Sequence, residues 1–205
     1  MDSRIDIMDA LEKDLFGGLR SLGDAMNFFT KERYNRINPM NENLIDWKER
    51  GKLVSGHGNN TVYESCTVIG DIKMGDYCWI GPYTILDGGG GLTIGTGVTI
   101  AANAMVYTHD TLRFTLSEGK MPYEYAPVTI EDYCFIGSQS IILKGSHIGN
   151  HSLVAANSLV SFNVPPYKIV AGSPAKIIGE IYVENDGSVR MEYLSVEKGK
   201  KTIAL

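Results

Sequence analysis

The chain carries four histidines among its 205 residues, and one of them, His109, stands directly before an acidic residue, Asp110. An imidazole takes a proton from a hydroxyl or an amine readily at neutral pH, which is the task of a general base. A third group commonly orients such a base. His109 is therefore a candidate catalytic base. Asp110 is a candidate for orienting it or for contacting a substrate, with a plain surface role as the alternative.

The elements that must position His109 are marked by a six-residue period. An aliphatic residue recurs at every sixth position from residue 62 onward, with a two-residue insertion in the glycine run at 88–91 and a longer break before residue 130. The aliphatic positions are Val62, Val68, Met74, Ile80, Leu86, Ile94, Ile100, Val106, Ile130, Ile136, Ile142, Ile148, Val154 and Val160. A column repeated at so short a period predicts a solenoid of stacked short strands, which is an all-β fold.

Two further columns keep the same period. A small residue lies four places after the aliphatic one, at Cys66, Cys78, Thr84, Ala104, Cys134, Ser140, Ser146, Ser152 and Ser158. A glycine often lies one place after it, at Gly75, Gly81, Gly95, Gly137 and Gly149. There we expect a tight corner that demands a glycine backbone. Because all three cysteines fall in the small column, we expect them to be structural rather than redox-active or nucleophilic.

Composition and charge exclude several classes of protein. Apolar residues make up 43% and charged residues 21% of the chain, as in ordinary folded domains. The net charge of -5 argues against a nucleic-acid binder. No apolar run approaches the roughly 20 residues of a membrane span, and the first residues lack the apolar core of a signal peptide. Three cysteines are too few for a disulfide framework, so we expect a reducing, cytoplasmic location.

Three segments follow from these patterns. We expect residues 1–61 to form a helical segment and a linker. The helical spacing covers residues 5–35, the glycines at positions 17, 18 and 23 argue against one unbroken helix, and turn residues mark 36–61. Residues 62–180 form the solenoid, interrupted by a loop at 108–127. Residues 181–205 form a short hairpin around Asn185-Asp186-Gly187 and a solvated tail, Glu197–Lys201.

The columns resemble the hexapeptide repeat of the left-handed β-helix acyltransferases, in which three hexads make one triangular coil. The left-handed winding is implied by the resemblance alone, because parallel strands usually connect in the right-handed sense. In galactoside, maltose and related acetyltransferases the catalytic histidine follows the hexads that precede such a loop, and His109 occupies that place. The resemblance therefore implies acetyl transfer from acetyl-coenzyme A, with His109 as the general base and no metal ion.

A second segment carries the same resemblance. The run from Tyr167 to Ile178 follows the pair Pro165-Pro166 and closely resembles the segment after the last coil of sugar and xenobiotic acetyltransferases. In those enzymes the coils and this segment hold acetyl-coenzyme A in a groove between neighbouring subunits, which implies a homotrimer. Carried over by position, the donor contacts are Ser138, Ala156, Ser161 and Lys176. Lys176 would meet a coenzyme A phosphate as a point charge, where many members have arginine.

The loop looks most like that of the sugar-modifying members. This implies an acceptor hydroxyl or amino group on a sugar, of the nucleotide-linked kind that is destined for a surface polysaccharide. Asp87, at a coil corner beside the glycine run, is a candidate for binding that group, with a turn aspartate as the alternative. No serine adjoins His109 in a motif and the cysteines face inward, so we expect direct transfer without an acyl-enzyme.

Three other functions stay open at this point. The first is an acetyltransferase whose acceptor is a small molecule other than a sugar. The second is a zinc enzyme of the hexapeptide-repeat carbonic anhydrase kind, and the third is a β-helix subunit without catalysis. The remaining histidines, His57, His147 and His151, do not resemble the zinc-ligand pattern of that family. A non-catalytic subunit has no need of the His109 loop together with the segment that follows the last coil.

Overall fold

The computed structural model describes residues 10–194, which divide into two compact units between Asp46 and Trp47. The start of the predicted helix, residues 5–9, and the predicted tail at Glu197–Lys201 lie outside the described residues. Among the helices of the described part, none combines the length and the apolar character that a bilayer span requires.

Over residues 10–46, the first unit contains one helix and a short 3-10 turn. Helix α1 (Ala10–Tyr34) runs for 25 residues, and the turn (Met40–Asn43) follows it. The expected interruption at the glycines of positions 17, 18 and 23 is therefore wrong. Glycine costs a helix about 1 kcal/mol relative to alanine, but the leucines, arginine and alanine around these positions favour helix. The Thr30 hydroxyl joins helix and turn by donating to Asn43 Oδ1 at 3.2 Å.

The second unit is a left-handed parallel β-helix of about six turns, so the predicted fold class is confirmed. Its coils have three faces, which the chain visits in order. The first face contains β1 (Thr61–Val62), β4 (Trp79–Ile80), β7 (Thr99–Ile100), β12 (Phe135–Ile136), β15 (Leu153–Val154) and β17 (Lys168–Gly172). The second face contains β2 (Thr67–Ile69), β5 (Ile85–Asp87), β8 (Met105–Val106), β13 (Ile141–Ile142) and β16 (Leu159–Val160). The third face contains β3 (Ile72–Met74), β6 (Leu92–Ile94), β11 (Val128–Ile130) and β14 (His147–Ile148).

The aliphatic and small columns build the core, as predicted. Thirteen of the fourteen aliphatic positions are at most 7% exposed, and Val68 packs against them partly buried. Each fully buried aliphatic side chain contributes about 1.5–3 kcal/mol. The three cysteines are free and each is 2% exposed. Burial raises the pKa of Cys134 to about 11, so its thiol stays protonated at neutral pH.

The glycines of the repeat do not serve the purpose expected of them. We expected a left-handed backbone at these corners, but none of the five has a positive φ. They lie instead where consecutive coils come closest. A Cβ on Gly75 would stand 2.7 Å from the Thr96 nitrogen, and one on Gly81 would stand 2.8 Å from the Ala102 nitrogen. The close approach of two backbones therefore excludes a side chain at these positions.

The left-handed backbone lies two places later in the hexad. The third residue after the aliphatic one has a φ between +56° and +79° at Tyr77, Tyr83, Gly97, Asn103, Tyr133, Gln139, Gly145, His151 and Asn157. This conformation costs a residue with a side chain about 1–2 kcal/mol. Hydrogen bonds between coils hold it, such as that from the Tyr133 N–H to the Thr96 oxygen at 2.8 Å. Stacking thus imposes the turn even on bulky residues.

A helix that the sequence analysis missed packs on the first coil. Helix α2 (Trp47–Ser55) lies in the segment where turns were expected. Its Arg50 donates from Nη2 to the Cys66 oxygen at 2.8 Å and from Nε to the Tyr63 oxygen at 3.2 Å. Trp47 stacks on the Tyr63 ring with centroids 4.3 Å apart. Tertiary contacts of this kind stabilise a helix that is too short to persist alone.

An antiparallel hairpin extends the first face at the other end. Its strands are β18 (Ala175–Val183) and β19 (Val189–Tyr193). The pairing of β18 with β19 begins at Gly179, two residues before the predicted start at residue 181. β18 itself begins at Ala175, because its first half pairs with β17.

The close approach at Gly75 predicts a selective loss of stability. We expect Gly75→Ala to lower the free energy of unfolding by about 1–3 kcal/mol, because the new methyl group meets the backbone of the next coil. Gly58→Ala is the matched control in the same unit, since nothing lies within 4 Å of its Cβ position. Urea unfolding followed by circular dichroism measures both, and equal midpoints would contradict the packing role of Gly75.

Candidate active site

The long interruption leaves the β-helix at the corner between the second and third faces. It consists of a ribbon of two strands, β9 (His109–Asp110) and β10 (Glu124–Tyr125), with a short helix, α3 (Leu112–Leu116), between them. The glycine run 88–91 occupies the same corner one coil earlier, between β5 and β6. The two departures from the six-residue period lie against each other, since the Gly90 N–H donates to the Thr108 hydroxyl at 2.7 Å.

This stacking brings Asp87 to His109. Nδ1 of the imidazole lies 2.6 Å from Oδ2 of Asp87. The same oxygen accepts a hydrogen bond from the Thr108 N–H at 2.8 Å and lies 3.0 Å from the Thr108 hydroxyl. The other oxygen, Oδ1, accepts from the Gly89 N–H at 2.9 Å. Asp87 is 0% exposed, so groups of this chain surround its carboxylate.

The hydrogen bonds to Asp87 keep it ionised. Burial alone would raise the pKa of its carboxyl group, but the bonds from the Gly89 N–H, from Thr108 and from His109 outweigh burial and lower that pKa. An ionised carboxylate only accepts hydrogen bonds, so Nδ1 of His109 must donate. In the neutral imidazole Nε2 is then the nitrogen with a free lone pair, which is the atom a general base uses.

The surroundings of Asp87 correct the role expected for it. We expected its carboxylate to bind an acceptor group, but it is buried beneath the corner and all its contacts are internal. Its geometry instead suits the orienting role for which Asp110 was the candidate. Because Asp87 and His109 are 22 residues apart, only the stacking of the coils makes them neighbours.

Asp110 points away from the imidazole. Its Oδ1 accepts from the Leu112 N–H at 3.0 Å, and its Oδ2 lies 3.3 Å from Nζ of Lys144. The Leu112 hydrogen bond, followed by the Lys144 ammonium, lowers the pKa of Asp110. The expectation that Asp110 orients His109 is therefore wrong, since successive side chains of a strand point to opposite sides.

The imidazole is partly open on the outer side of the corner. The His109 side chain is 31% exposed, and within residues 10–194 no hydrogen-bonding partner lies at Nε2. The Tyr125 ring, on the opposite strand of the ribbon, stacks on it with centroids 5.5 Å apart at 22°. Gly89 lies beside both rings, since a Cβ there would stand 3.9 Å from His109 Nδ1 and 3.9 Å from Tyr125 Cε1. A small acceptor can therefore reach Nε2 from solvent.

The four positions expected to contact the donor lie on more than one corner. Ser138 and Ala156 stack between the first and second faces, and Gly137, before Ser138, lies against the Ala156 backbone. Ser161 follows β16 on the corner that carries His109, whereas Lys176 lies on β18 opposite Ala171. All four are exposed. Within the described residues, one chain does not gather them into a single pocket.

The other histidines have partners of their own. Nδ1 of His57 lies 3.1 Å from Asp76, and Nε2 of His147 lies 2.9 Å from Glu131. His151 stacks on Tyr167 with ring centroids 4.9 Å apart. Across residues 10–194, no group of three or more histidine, cysteine, aspartate or glutamate side chains is placed to hold a metal ion.

Sequence reasoning missed Thr108, Tyr125 and Lys144 at this site. Thr108 is 0% exposed and joins the glycine run to Asp87. The sequence does contain a signal for Thr108. Asp87 comes one place and Thr108 two places after an aliphatic position of the repeat, and the glycine insertion and the loop that follow them occupy equivalent corners. Lys144 gave no signal, since a lone lysine after a repeat position looks like any solvated residue.

The sequence and the fold of this chain are similar to those of known acyltransferases. The hexapeptide family of bacterial transferases, described by six repeats, matches residues 127–161. A Saccharomyces cerevisiae protein named as an acetyltransferase, YJL218W, is 32% identical over 154 residues, which cover 72% of this chain and 76% of the yeast protein. The 2,3,4,5-tetrahydropyridine-2,6-dicarboxylate N-acetyltransferase of Brevibacillus brevis is 42% identical over 60 residues. That shorter match covers 29% of this chain and 25% of the relative, so the chain spans about a quarter of it.

Solved structures show the same likeness. VCA0836 from Vibrio cholerae O1 biovar eltor, a hexapeptide-repeat acetyltransferase complexed with acetyl-coenzyme A, is 28% identical with a TM-score of 0.58, over 83% of this chain and 90% of that one. AntD, an N-acyltransferase from Bacillus cereus in complex with dTDP and 3-hydroxybutyryl-CoA, is 26% identical with a TM-score of 0.54, over 58% and 68% of the two chains. A variant of AntD, with the same scores, holds dTDP-4-amino-4,6-dideoxyglucose and coenzyme A.

The Asp87 contact predicts an unusual tautomer at His109. In its neutral form we expect the proton on Nδ1. His147 serves as the internal control with its proton on Nε2, which lies 2.9 Å from Oε1 of Glu131. Two-bond proton–nitrogen correlation spectra of histidine-labelled protein distinguish the tautomers. Asp87→Asn should abolish the single Nδ1–H form of His109 and leave the His147 signal unchanged. An Nε2–H signal for His109 in the wild-type protein would contradict the orientation.

Proposed function

The chain belongs to the hexapeptide-repeat acetyltransferase family, and from this premise we propose that it transfers the acetyl group of acetyl-coenzyme A directly to a hydroxyl or amino group of a sugar. The observation that carries the proposal is the 2.6 Å contact between Nδ1 of His109 and the buried Asp87 carboxylate, which leaves Nε2 free to accept a proton.

His109 acts as the general base in the proposed reaction. Nε2 takes the proton of the acceptor hydroxyl or amine while the acceptor oxygen or nitrogen bonds to the acetyl carbonyl carbon. The tetrahedral intermediate then expels the coenzyme A sulfur as the carbon–sulfur bond breaks, and the proton passes from His109 to the thiolate. The charged Asp87 stabilises the imidazolium between the two steps.

Direct transfer fits the absence of an activated nucleophile among the described residues. The three cysteines lie in the core, and burial raises the pKa of both Cys78 and Cys134, so neither is a thiolate at neutral pH. No acyl-cysteine intermediate is therefore part of the proposed reaction. Free thiols also suit a reducing, cytoplasmic location.

Acetyl-coenzyme A is the proposed donor because VCA0836 is complexed with it and AntD with acyl- or free coenzyme A. We assign its contacts to Ser138, Ala156, Ser161 and Lys176. These exposed positions lie on separate corners of one chain, which suits a groove completed by a neighbouring subunit. The Lys176 ammonium would pair with a phosphate as a point charge.

A sugar, nucleotide-linked, is the proposed acceptor. The support is the AntD complex with dTDP-4-amino-4,6-dideoxyglucose, together with the open approach to Nε2 beside Tyr125. In this proposal the acetylated nucleotide sugar is then used to build a surface polysaccharide. A small dicarboxylate with an amino group is the second candidate, favoured by the match to the Brevibacillus brevis N-acetyltransferase. A panel of hydroxyl sugars, dTDP-linked amino sugars and amino dicarboxylates, with coenzyme A release as the readout, separates the two.

A homotrimer is the proposed assembly. The second face presents a row of outward apolar side chains that one chain only half buries, at Ile85, Met105, Ile141 and Leu159. The third face presents polar residues at the equivalent positions, including Thr93, Thr129 and His147. Burying the apolar row between subunits is favourable by about 25 cal/mol for each Å² removed from water. The second face is thus a better candidate for the interface than the third face.

His109→Ala tests the general base. We expect kcat to fall by about 10²–10⁴-fold, which is the usual contribution of such a base. Melting temperature and acetyl-coenzyme A affinity should hold, because His109 lies outside the packed column and apart from Ser138, Ala156 and Lys176. His147→Ala is the matched control, since His147 pairs with Glu131 on the third face. Rates equal to wild type at every pH, with an acceptor that the wild-type enzyme uses, would rule out the assignment.

Sedimentation equilibrium tests the assembly. We expect a mass of three times the 22.5 kDa chain in active preparations. Ile141→Glu should dissociate the trimer, because it places three charges in the proposed apolar interface, and Thr129→Glu on the third face should not. A mass near one chain in an active preparation, or dissociation by the Thr129 variant alone, would refute the arrangement.

A further inference from the structure

One lysine of the β-helix reaches into the ribbon that carries His109. Lys144 directly follows the second-face position Leu143, next to β13, one coil beyond the start of the interruption. Its Nζ lies 2.8 Å from Oε2 of Glu124 and 3.3 Å from Oδ2 of Asp110. The side chain is 23% exposed, so most of its stem is covered. A single ammonium therefore contacts two carboxylates that belong to the interruption.

The two carboxylates lie on opposite strands of the ribbon. Asp110 and Glu124 form one cross-strand pair, and His109 and Tyr125 form the next. The lysine thus holds β9 and β10 together within one residue of the stacked imidazole and phenol rings. It also fixes the ribbon to the regular coils, because its own backbone belongs to the β-helix.

The carboxylates that contact Lys144 favour the charged form of its side chain. Glu124 also pairs with Arg113, whose Nε lies 3.0 Å from Oε1, so each oxygen of Glu124 has a cationic partner. The hydrogen bond to Glu124, followed by that to Asp110, raises the pKa of Lys144. The ammonium is therefore fully charged at neutral pH.

We propose that Lys144 is a positioning residue that acts through the ribbon: by joining Asp110 and Glu124 to the β-helix, it holds His109 against Asp87. The proposal rests on the proposed function only for its kinetic consequence. The positioning itself concerns this chain's own geometry. We call the contacts of Lys144 with Asp110 and Glu124 the Lys144 clasp. Because the ribbon stands outside the stacked coils, the loss of this clasp opens the ribbon locally without unfolding the β-helix.

Hydrogen exchange and the His109 tautomer test the positioning without any substrate. We expect Lys144→Met to speed amide exchange in residues 109–125 by about 5- to 30-fold, which is the factor that corresponds to a loss of about 1–2 kcal/mol of local stability. The Nδ1–H signal of His109 should weaken at the same time. Lys144→Arg should keep the exchange rate and the Nδ1–H signal at their wild-type values, because it keeps the charge. The control is Lys120→Met in the same interruption, whose lysine is 78% exposed and pairs only with Glu118 within the described residues.

Kinetics then separate this proposal from the proposed function. With the best acceptor from the panel, we expect Lys144→Met to lower kcat about tenfold while KM for acetyl-coenzyme A holds, since misplacing a base slows the chemical step. Faster exchange and a lost tautomer with unchanged kcat would leave the positioning intact and overturn His109 as the base.

The positioning role has its own overturning result. Exchange and tautomer signals that match wild type in Lys144→Met would show that the ribbon holds its place without the lysine. A fall in melting temperature with both signals unchanged would assign Lys144 to general stability instead. Should Lys144→Met fail to fold, Glu124→Gln removes the shorter contact from the ribbon side, and Arg113→Met controls for the other ion pair of Glu124. Faster exchange and a weaker Nδ1–H signal in Glu124→Gln than in Arg113→Met would support the clasp, and equal signals in the two variants would overturn it.

Discussion

Every coil of the β-helix lies in register on the coil before it, and the backbone hydrogen bonds between coils enforce that register. Ile80, Ile100 and Ile136 pair directly along the first face, as do Leu86, Val106 and Ile142 along the second. Because each residue meets its own counterpart, a column must be filled by residues that can stack on themselves. Aliphatic side chains fill the interior, and glycine is required where the backbones approach most closely.

The same register decides what happens where the repeat is broken. Extra residues cannot enter a stacked strand, so both insertions emerge at corners, and both lie at the corner between the second and third faces. The insertions release N–H groups from the ladder, and those of Gly89 and Thr108 bond the Asp87 carboxylate while that of Gly90 bonds the Thr108 hydroxyl. A charge buried in this way is tolerable because it is surrounded by donors. The irregular corner therefore holds a buried carboxylate in contact with an imidazole.

The site consists of a rigid part and a less rigid part. Asp87 belongs to the coils, and hydrogen bonds from Gly89, Thr108 and His109 hold its carboxylate. His109 belongs to a ribbon held by the Tyr125 stack and by the Lys144 clasp. This division suits an acyltransferase family whose members share the coils and differ in their acceptors. The coils fix the position of the Asp87 carboxylate, and the ribbon is the part whose sequence can change without disturbing the core.

The six-residue period predicts the solenoid by itself, because only coils stacked in register bury an aliphatic residue at every sixth position. The same period predicts that the cysteines are buried and places His109 at the only long break in the hexads. It does not reveal that Asp87, rather than Asp110, faces the imidazole. Adjacency along a strand separates side chains, whereas stacking brings together residues one coil apart, and that stacking exists only in the folded chain. For the same reason the left-handed corners at Tyr77, Tyr133 and similar residues could not be predicted from the sequence: coil-to-coil hydrogen bonds impose a conformation that those side chains alone would avoid.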